Sequence, residues 1–285
     1  MAHILAIGIA TLDIINQVSH YPAEDSEVRA EHQQFRRGGN ATNTLVVLSQ
    51  LGHQCQWGGV LVDEPDLPLI LADLQQHQID YSDCRQLAKG KMPTSYVTQS
   101  MSTGSRSIVH YRDCPEFSFN DFGQIDLQAI DWLHFEGRNV DDTQRMMQLA
   151  RTKRPELTLS VEIEKPREQI EQLIPLADVV MLSKVYAQSR GFESATGLLN
   201  SLSGPQLFSC TWGEQGAWLK QSAQLWHSPA TLPAQLVDTL GAGDTFNAGL
   251  IDALSRQLPA AQALQIACEL AGRKCGQQGF AGLMI

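Results

Sequence analysis

The stretch Val237–Leu250 reads VDTLGAGDTFNAGL, and its reading decides which α/β fold this chain adopts. Two glycines flank an alanine just before an apolar helical pattern, as in a phosphate-holding turn, yet Asp244 follows at once. A P-loop needs four residues between its glycines and then Gly-Lys-Ser/Thr, whereas Gly241 and Gly243 lead into Asp244 and Thr245. A dinucleotide fingerprint needs glycine at position 246, where Phe246 stands, and belongs to an early βαβ unit, not to the end of a chain. What remains is a turn whose N–H groups at Gly241, Ala242 and Gly243 converge on an anion and feed a helix with Phe246, Leu250, Ala253 and Leu254 on one face. Anion and carboxylate coexist if they serve different atoms. Phosphoryl transfer to an alcohol needs donors for the moving charge and an acceptor for the hydroxyl proton. Asp244 is that acceptor, with a low pKa expected from its place at a helix N-terminus; the plainer alternative is a helix cap behind a flexible turn.

Working outward, short apolar runs recur: HILAIGIA, WLHFEG, LTLSVEI, DVVMLS and QLFSCTW. Strands buried on both faces have this composition. Helical patterns lie between several of them, such as Ala41–Leu51 closed by Gly52, and Thr143–Ala150 with Met146, Met147 and Leu149. Alternation of this kind implies an α/β fold with a doubly wound, mostly parallel sheet and helices on both faces. Two segments fall outside it. Val28–Arg36 is polar and extended, and Thr94–Arg112 reads as two strands around the turn Ser102–Ser105, so a small antiparallel sheet is expected to form a lid. The expected division is a core of residues 1–13, 38–90 and 114–285 with a lid of 14–37 and 91–113.

Composition narrows the partners. The 285 residues carry a net charge of −10 without long charged runs, which argues against a sequence-independent grip on nucleic acid or an anionic membrane surface. Six scattered cysteines without a C-x-x-C pair suggest neither zinc nor a disulfide framework, and fit a reduced cytoplasm. Ile4–Ile9 is too short for a membrane span and reads as a first buried strand.

The early half adds polar groups. In RRGGNATNTLVVLSQLG (Arg36–Gly52), Gly38 and Gly39 permit a tight turn, and Asn40 and Asn43 share a helix face, where their amides suit sugar hydroxyls. Equally, Asn40 reads as an N-cap with Asn43 solvated. Asp13, just past the first strand, adds an acceptor in the crevice where open α/β sheets bind ligands.

RRGGNATNTLVVLSQLG and VDTLGAGDTFNAGL together resemble the two signatures of the PfkB, or ribokinase-like, family of carbohydrate kinases. FEGRN (Phe135–Asn139), SVEIEKPRE (Ser160–Glu168), SCTWGEQGA (Ser209–Ala217) and AGRKCGQQGF (Ala271–Phe280) are similar to its ketohexokinase branch, which phosphorylates fructose at the C1 hydroxyl. The similarity runs from about Ile4 to about Gly282.

This resemblance implies an ATP-dependent kinase acting on a fructose-like ketohexose. Asp244 is then the general base, and Gly241, Ala242 and Gly243 form the anion hole. Asp13, Gly39, Asn40 and Asn43 bind sugar hydroxyls, with Arg138 of FEGRN beside them. Arg106 and Lys184 offset phosphate charge, though either could be a solvated surface residue. Trp212, Glu214, Gly216 and Cys275 belong to the nucleotide side, with Trp212 equally suited to the core. Mg2+ arrives with ATP, held largely by phosphate and water; K+ activation is implied by the wider family only. The resemblance further implies a homodimer whose lids clasp, with Asp25 of YPAEDSE (Tyr21–Glu27) reaching the sugar of the neighbouring subunit.

Departures are visible too. Where many members carry Asn-x-x-Glu for the magnesium network, this chain has Ser183–Tyr186, which leaves metal ligation unassigned with only Glu162 and Glu164 as candidates. His110 and Arg112 are unexpected on the second lid strand, so another furanose-type acceptor (a fructosamine, ribose or a nucleoside) stays open, as does a non-catalytic sensor.

Overall fold

A computed structural model describes residues 1–283. Its central sheet has nine strands, ordered Gln224–Ser228, Ala217–Gln221, Leu207–Thr211, Val179–Ser183, Thr158–Ile163, Trp132–Glu136, His3–Ile7, Gln54–Gly58 and Ile79–Asp80. All neighbours run parallel except the two final strands, Ala217–Gln221 and Gln224–Ser228, which pair antiparallel at one edge. The apolar runs form the middle strands because both of their faces are covered. On one face Leu45, Leu48, Phe246, Leu250 and Ala267 pack from the helices Asn40–Gln50, Ala242–Ser255 and Ala260–Cys275. On the other, Met146, Met147, Leu198 and Leu199 pack from Val140–Lys153 and Ala195–Ser201.

Strand order reverses at His3–Ile7, which pairs with Gln54–Gly58 on one side and Trp132–Glu136 on the other. Diverging connections open a crevice at the carboxyl ends of such strands.

A separate four-stranded sheet has the order His32–Gly38, Thr11–Val18, Lys91–Ser100 and Arg106–Asp113. It is mixed, not antiparallel throughout: Thr11–Val18 and Lys91–Ser100 pair parallel at its centre. Each excursion folds into its own antiparallel pair, and the pairs join through their outgoing strands, which leave the core in the same direction. The sheet also takes in Thr11–Asp13 and Gly38, a few residues more than the sequence pattern assigned to it.

Side-chain alternation gives this sheet two distinct faces. Arg36, Asp13, Ser95 and His110 are in register across it, and Asp13, Ser95 and His110 line the crevice. The adjacent row is Phe35, Ile14, Tyr96 and Val109, and its Phe35, Tyr96 and Val109 are exposed by 49, 44 and 68 %.

Candidate active site

The first strand ends at the switch point, where the Ile9 N–H donates to Glu136 Oε2 at 3.0 Å from the neighbouring strand. The helix Asn40–Gln50 starts against this strand end. Its N-cap is Gly39, at φ +104°, where a Cβ would stand 2.2 Å from the Ile9 carbonyl oxygen. Only glycine permits that approach. Asn40 is therefore the first helical residue and not the cap, and its amide donates to Glu162 Oε2 at 3.1 Å and Glu164 Oε2 at 3.2 Å. Asn43 is buried rather than solvated, and donates to Asp244 Oδ2 at 2.6 Å.

Asp244 lies in the first turn of Ala242–Ser255, behind Gly241 at φ +81°. A Cβ on Gly241 would lie 2.3 Å from the Phe280 ring, so this turn also requires glycine. The N–H groups of Gly243 and Asp244, like all first-turn donors, have no intrahelical acceptor. A Cβ built on Gly243 meets nothing within 4 Å. An open cradle with free donors at a helix N-terminus fits a phosphate group.

Burial corrects the expected acidity. Asp244 is only 6 % exposed, and desolvation pushes its carboxyl up from 3.8 to about 7, with the charges of Glu164 and Glu136 acting in the same direction. Donation from Asn43 and the charge of Arg37 oppose that rise. This rise runs against the lowering expected from a helix N-terminus. Glu162 is likewise raised well above its usual range by burial and by Asp244, Glu164 and Glu136. Its other oxygen accepts from Asn247 at 2.9 Å.

These groups sit in a polar cleft of about 560 Å3. Asp13, Gly39, Asn40 and Asn43 enter it from one side, and Gly241–Asp244 form its floor. Arg106 reaches from the lid to donate to Thr239 Oγ1 at 2.6 Å, just ahead of the anion turn. Arg138 also lines the cleft, but its guanidinium is engaged by Glu116 at 2.9 Å and Glu136 at 3.4 Å. An adjoining cleft of about 530 Å3 is mostly apolar and is lined by Glu214, Gly216 and Cys275. Thr211, Thr239, Ala242 and Gly243 line both clefts, so the two meet at the turn.

Three sequence-predicted residues lie elsewhere. Trp212 is 5 % exposed and packs in the core, because it follows Thr211 on the opposite side of the strand end. Lys184 is exposed and holds its ammonium 5.7 Å above the Trp212 ring, outside both clefts. Asp25 is on an exposed loop before His32–Gly38, at φ +54°, and does not reach the cleft of its own chain. Sequence reasoning missed Glu136, Asn247, Lys165 and Arg167, all of which line the polar cleft. Asn247 carries a readable signal, standing three residues after Asp244 and thus on the same helix face.

A buried cation supports the turn from behind. Lys274 is fully buried and donates to the Asp238 carbonyl at 2.9 Å, with its carboxylate at 3.0 Å. Arg36 reaches the same carboxylate at 3.1 Å, and the Leu240 N–H donates to it at 2.9 Å. Burial alone would raise the Asp238 carboxyl, but Lys274 and these neighbours hold it below its usual value. Among the described residues no group of three His, Cys, Asp or Glu side chains is placed to hold a metal ion. Glu162 and Glu164 line the polar cleft, and two such carboxylates fit a magnesium ion carried mainly by phosphate and water.

A buried carboxylate beside an open helix N-terminus stands where two clefts join at the switch point of a ribokinase-like α/β sheet; residues 1–283 match the pfkB family of carbohydrate kinases, and the chain belongs to that family. It is 41 % identical to the ketohexokinase of Mus musculus over 99 % of this chain and 98 % of the relative. In fold it resembles the ribokinase of Cryptococcus neoformans in complex with ADP, at a TM-score of 0.81 and 16 % identity over 99 % of this chain and 96 % of that one. The ribokinase of Arabidopsis thaliana complexed with ribose and ATP gives a TM-score of 0.79 at 18 % identity, over 98 % and 94 %.

Proposed function

We propose that this chain transfers the γ-phosphoryl group of ATP to a ketohexose, fructose-like and at its C1 hydroxyl. The observation that carries the reading is Asp244, a buried carboxylate adjoining the free N–H groups of Gly243 and its own backbone, at the join of an apolar and a polar cleft. Adenine suits the apolar cleft, and the sugar suits the polar one. The attacking oxygen forms a bond to the γ-phosphorus as the bond to ADP breaks, and its proton passes to Asp244. With its pKa lifted to about 7, Asp244 is a stronger base than an exposed aspartate and is still largely ionised in mildly alkaline solution. Glycine-turn N–H groups and Arg106 receive the phosphoryl charge. Glu162 or Glu164 would give outer support to a Mg2+ ion carried by the phosphates, which would supply neutralising charge to the nucleotide. Strong identity along the whole chain to a ketohexokinase favours a ketohexose over other furanose-type acceptors.

Two lids facing each other would cover the apolar row Phe35, Ile14, Tyr96 and Val109, of which a monomer leaves Phe35, Tyr96 and Val109 to solvent. The homodimer reading rests on that row, and Asp25 at the partner's sugar rests on the resemblance alone. Among the described residues no helix is long and apolar enough to cross a membrane, and six free thiols suit a reducing, cytoplasmic compartment. A panel of D-fructose, other ketohexoses, ribose, fructosamines and nucleosides, with ADP release as readout, tests the substrate. The highest kcat/KM should fall to a ketohexose; preference for ribose or a nucleoside would overturn that part.

A further inference from the structure

Arg37 is a charged group that the chemistry so far leaves unused. Its side chain is 1 % exposed, at the end of the strand His32–Gly38. The guanidinium donates to Asp73 at 2.5 Å, to Thr42 Oγ1 at 3.0 Å, to the Gly38 carbonyl at 3.3 Å and to Asn43 Oδ1 at 2.7 Å. Asn43 in turn donates from Nδ2 to Asp244 Oδ2 at 2.6 Å.

An arginine has five donors and no acceptor, whereas an asparagine amide can present either end to a neighbour. With Arg37 fixed by Asp73 and Thr42, the Asn43 amide must turn its oxygen toward the guanidinium. Its NH2 group then has to face Asp244. Remove the guanidinium and the amide is free to rotate, setting oxygen against oxygen at the base.

We propose that Arg37 is a positioning residue that sets the orientation of the Asn43 amide, and so keeps a hydrogen-bond donor rather than an acceptor on the catalytic carboxylate. The proposal rests on Asp244 as the base. It also revises the part played by Asn43, whose oxygen is used by Arg37 and whose NH2 group retains one N–H for the sugar. Other charged groups around Asp244 are Glu136 and Glu162 from the central sheet, Arg138, Glu164, Lys165 and Arg167 from the segments that follow its strands, Asp13, Arg106 and His110 from the lid, and Lys274 behind the turn. All of them persist when Arg37 is changed.

Two substitutions of similar length separate orientation from packing. Arg37→Lys keeps a donor-only cation, and Arg37→Gln offers an amide that accepts as readily as it donates. For Arg37→Gln the acidic limb of kcat/KM against pH, with ATP and D-fructose, should move up by about one pH unit, because the ionised base loses its donor together with the positive charge of Arg37. For Arg37→Lys the limb should stay at its wild-type position. The same contrast should be visible without substrate in the titration of the Asp244 carboxyl 13C resonance, assigned by its loss in Asp244→Asn, so a wrong choice of sugar does not obscure the result. Asn43→Leu, which has no amide to turn and keeps the Arg37 charge, should raise the limb through loss of the donor alone, and the double variant should exceed it only by the effect of the lost charge. If Arg37→Gln does not fold, Arg37→Lys and Asn43→Leu decide between them. A limb and resonance left at the wild-type position in Arg37→Gln or Asn43→Leu, or displaced equally in Arg37→Lys, would overturn the proposal.

Discussion

Replacing Asp244 by asparagine should stabilise the ligand-free protein, and by an amount that depends on pH. Burial moves this carboxyl from 3.8 to about 7. At about 1.4 kcal/mol per pH unit, keeping it ionised costs the folded state about 4 kcal/mol above pH 7. Between the two values the folded state binds more protons than the unfolded chain, so wild-type stability rises as pH falls through that window. The amide variant has no proton to bind there. Its advantage should therefore be largest at pH 8, on the order of 2–4 kcal/mol once the cost of burying an amide is deducted, and should fall by about 1.4 kcal/mol per unit between about pH 7 and pH 4, where it is gone or reversed. Urea denaturation of both proteins at a series of pH values reads the difference directly. A difference that does not vary with pH, or a variant less stable than wild type at pH 8, would refute the claim that burial dominates the acidity of Asp244.

Gly243→Val adds side-chain atoms where the cradle is open, so stability should hold within about 1 kcal/mol while kcat/KM for ATP falls about 100-fold or more, as thermal denaturation and initial rates will show. Lys274→Met leaves the Asp238 carboxylate with Arg36 alone as its cationic partner, and should cost about 3 kcal/mol of stability by urea denaturation; a loss below about 1 kcal/mol would mean that Arg36 suffices. Val109→Asp puts a charge into the exposed apolar row and should convert a dimer into monomers by sedimentation, whereas unchanged association would exclude that face as the interface.

Much of this architecture is legible in the order of residues alone. Apolar runs such as LTLSVEI and DVVMLS become Thr158–Ile163 and Val179–Ser183, and the turn Ser102–Ser105 separates two lid strands. Local signals suffice there because periodicity and turn chemistry act over a few residues. The acidity of Asp244 was not legible. It depends first on burial and then on Glu164 and Glu136, which only the sheet topology brings near a helix far along the chain. Trp212 shows the same limit on a smaller scale, since which side of the strand end faces the nucleotide cleft follows from register rather than residue type. Asn40 looked like a helix cap because asparagine caps well, but Gly39 holds that place through its positive φ and frees the amide for Glu162 and Glu164.

The most direct test is turnover by Asp244→Asn with ATP, magnesium and D-fructose at saturation, alongside equilibrium binding of both substrates. If Asp244 receives the hydroxyl proton, kcat should fall by about 10²–10⁴ while both affinities stay within a few-fold of wild type. A variant that binds both substrates and retains near-normal kcat would contradict this mechanism and leave Asp244 a structural part of its helix.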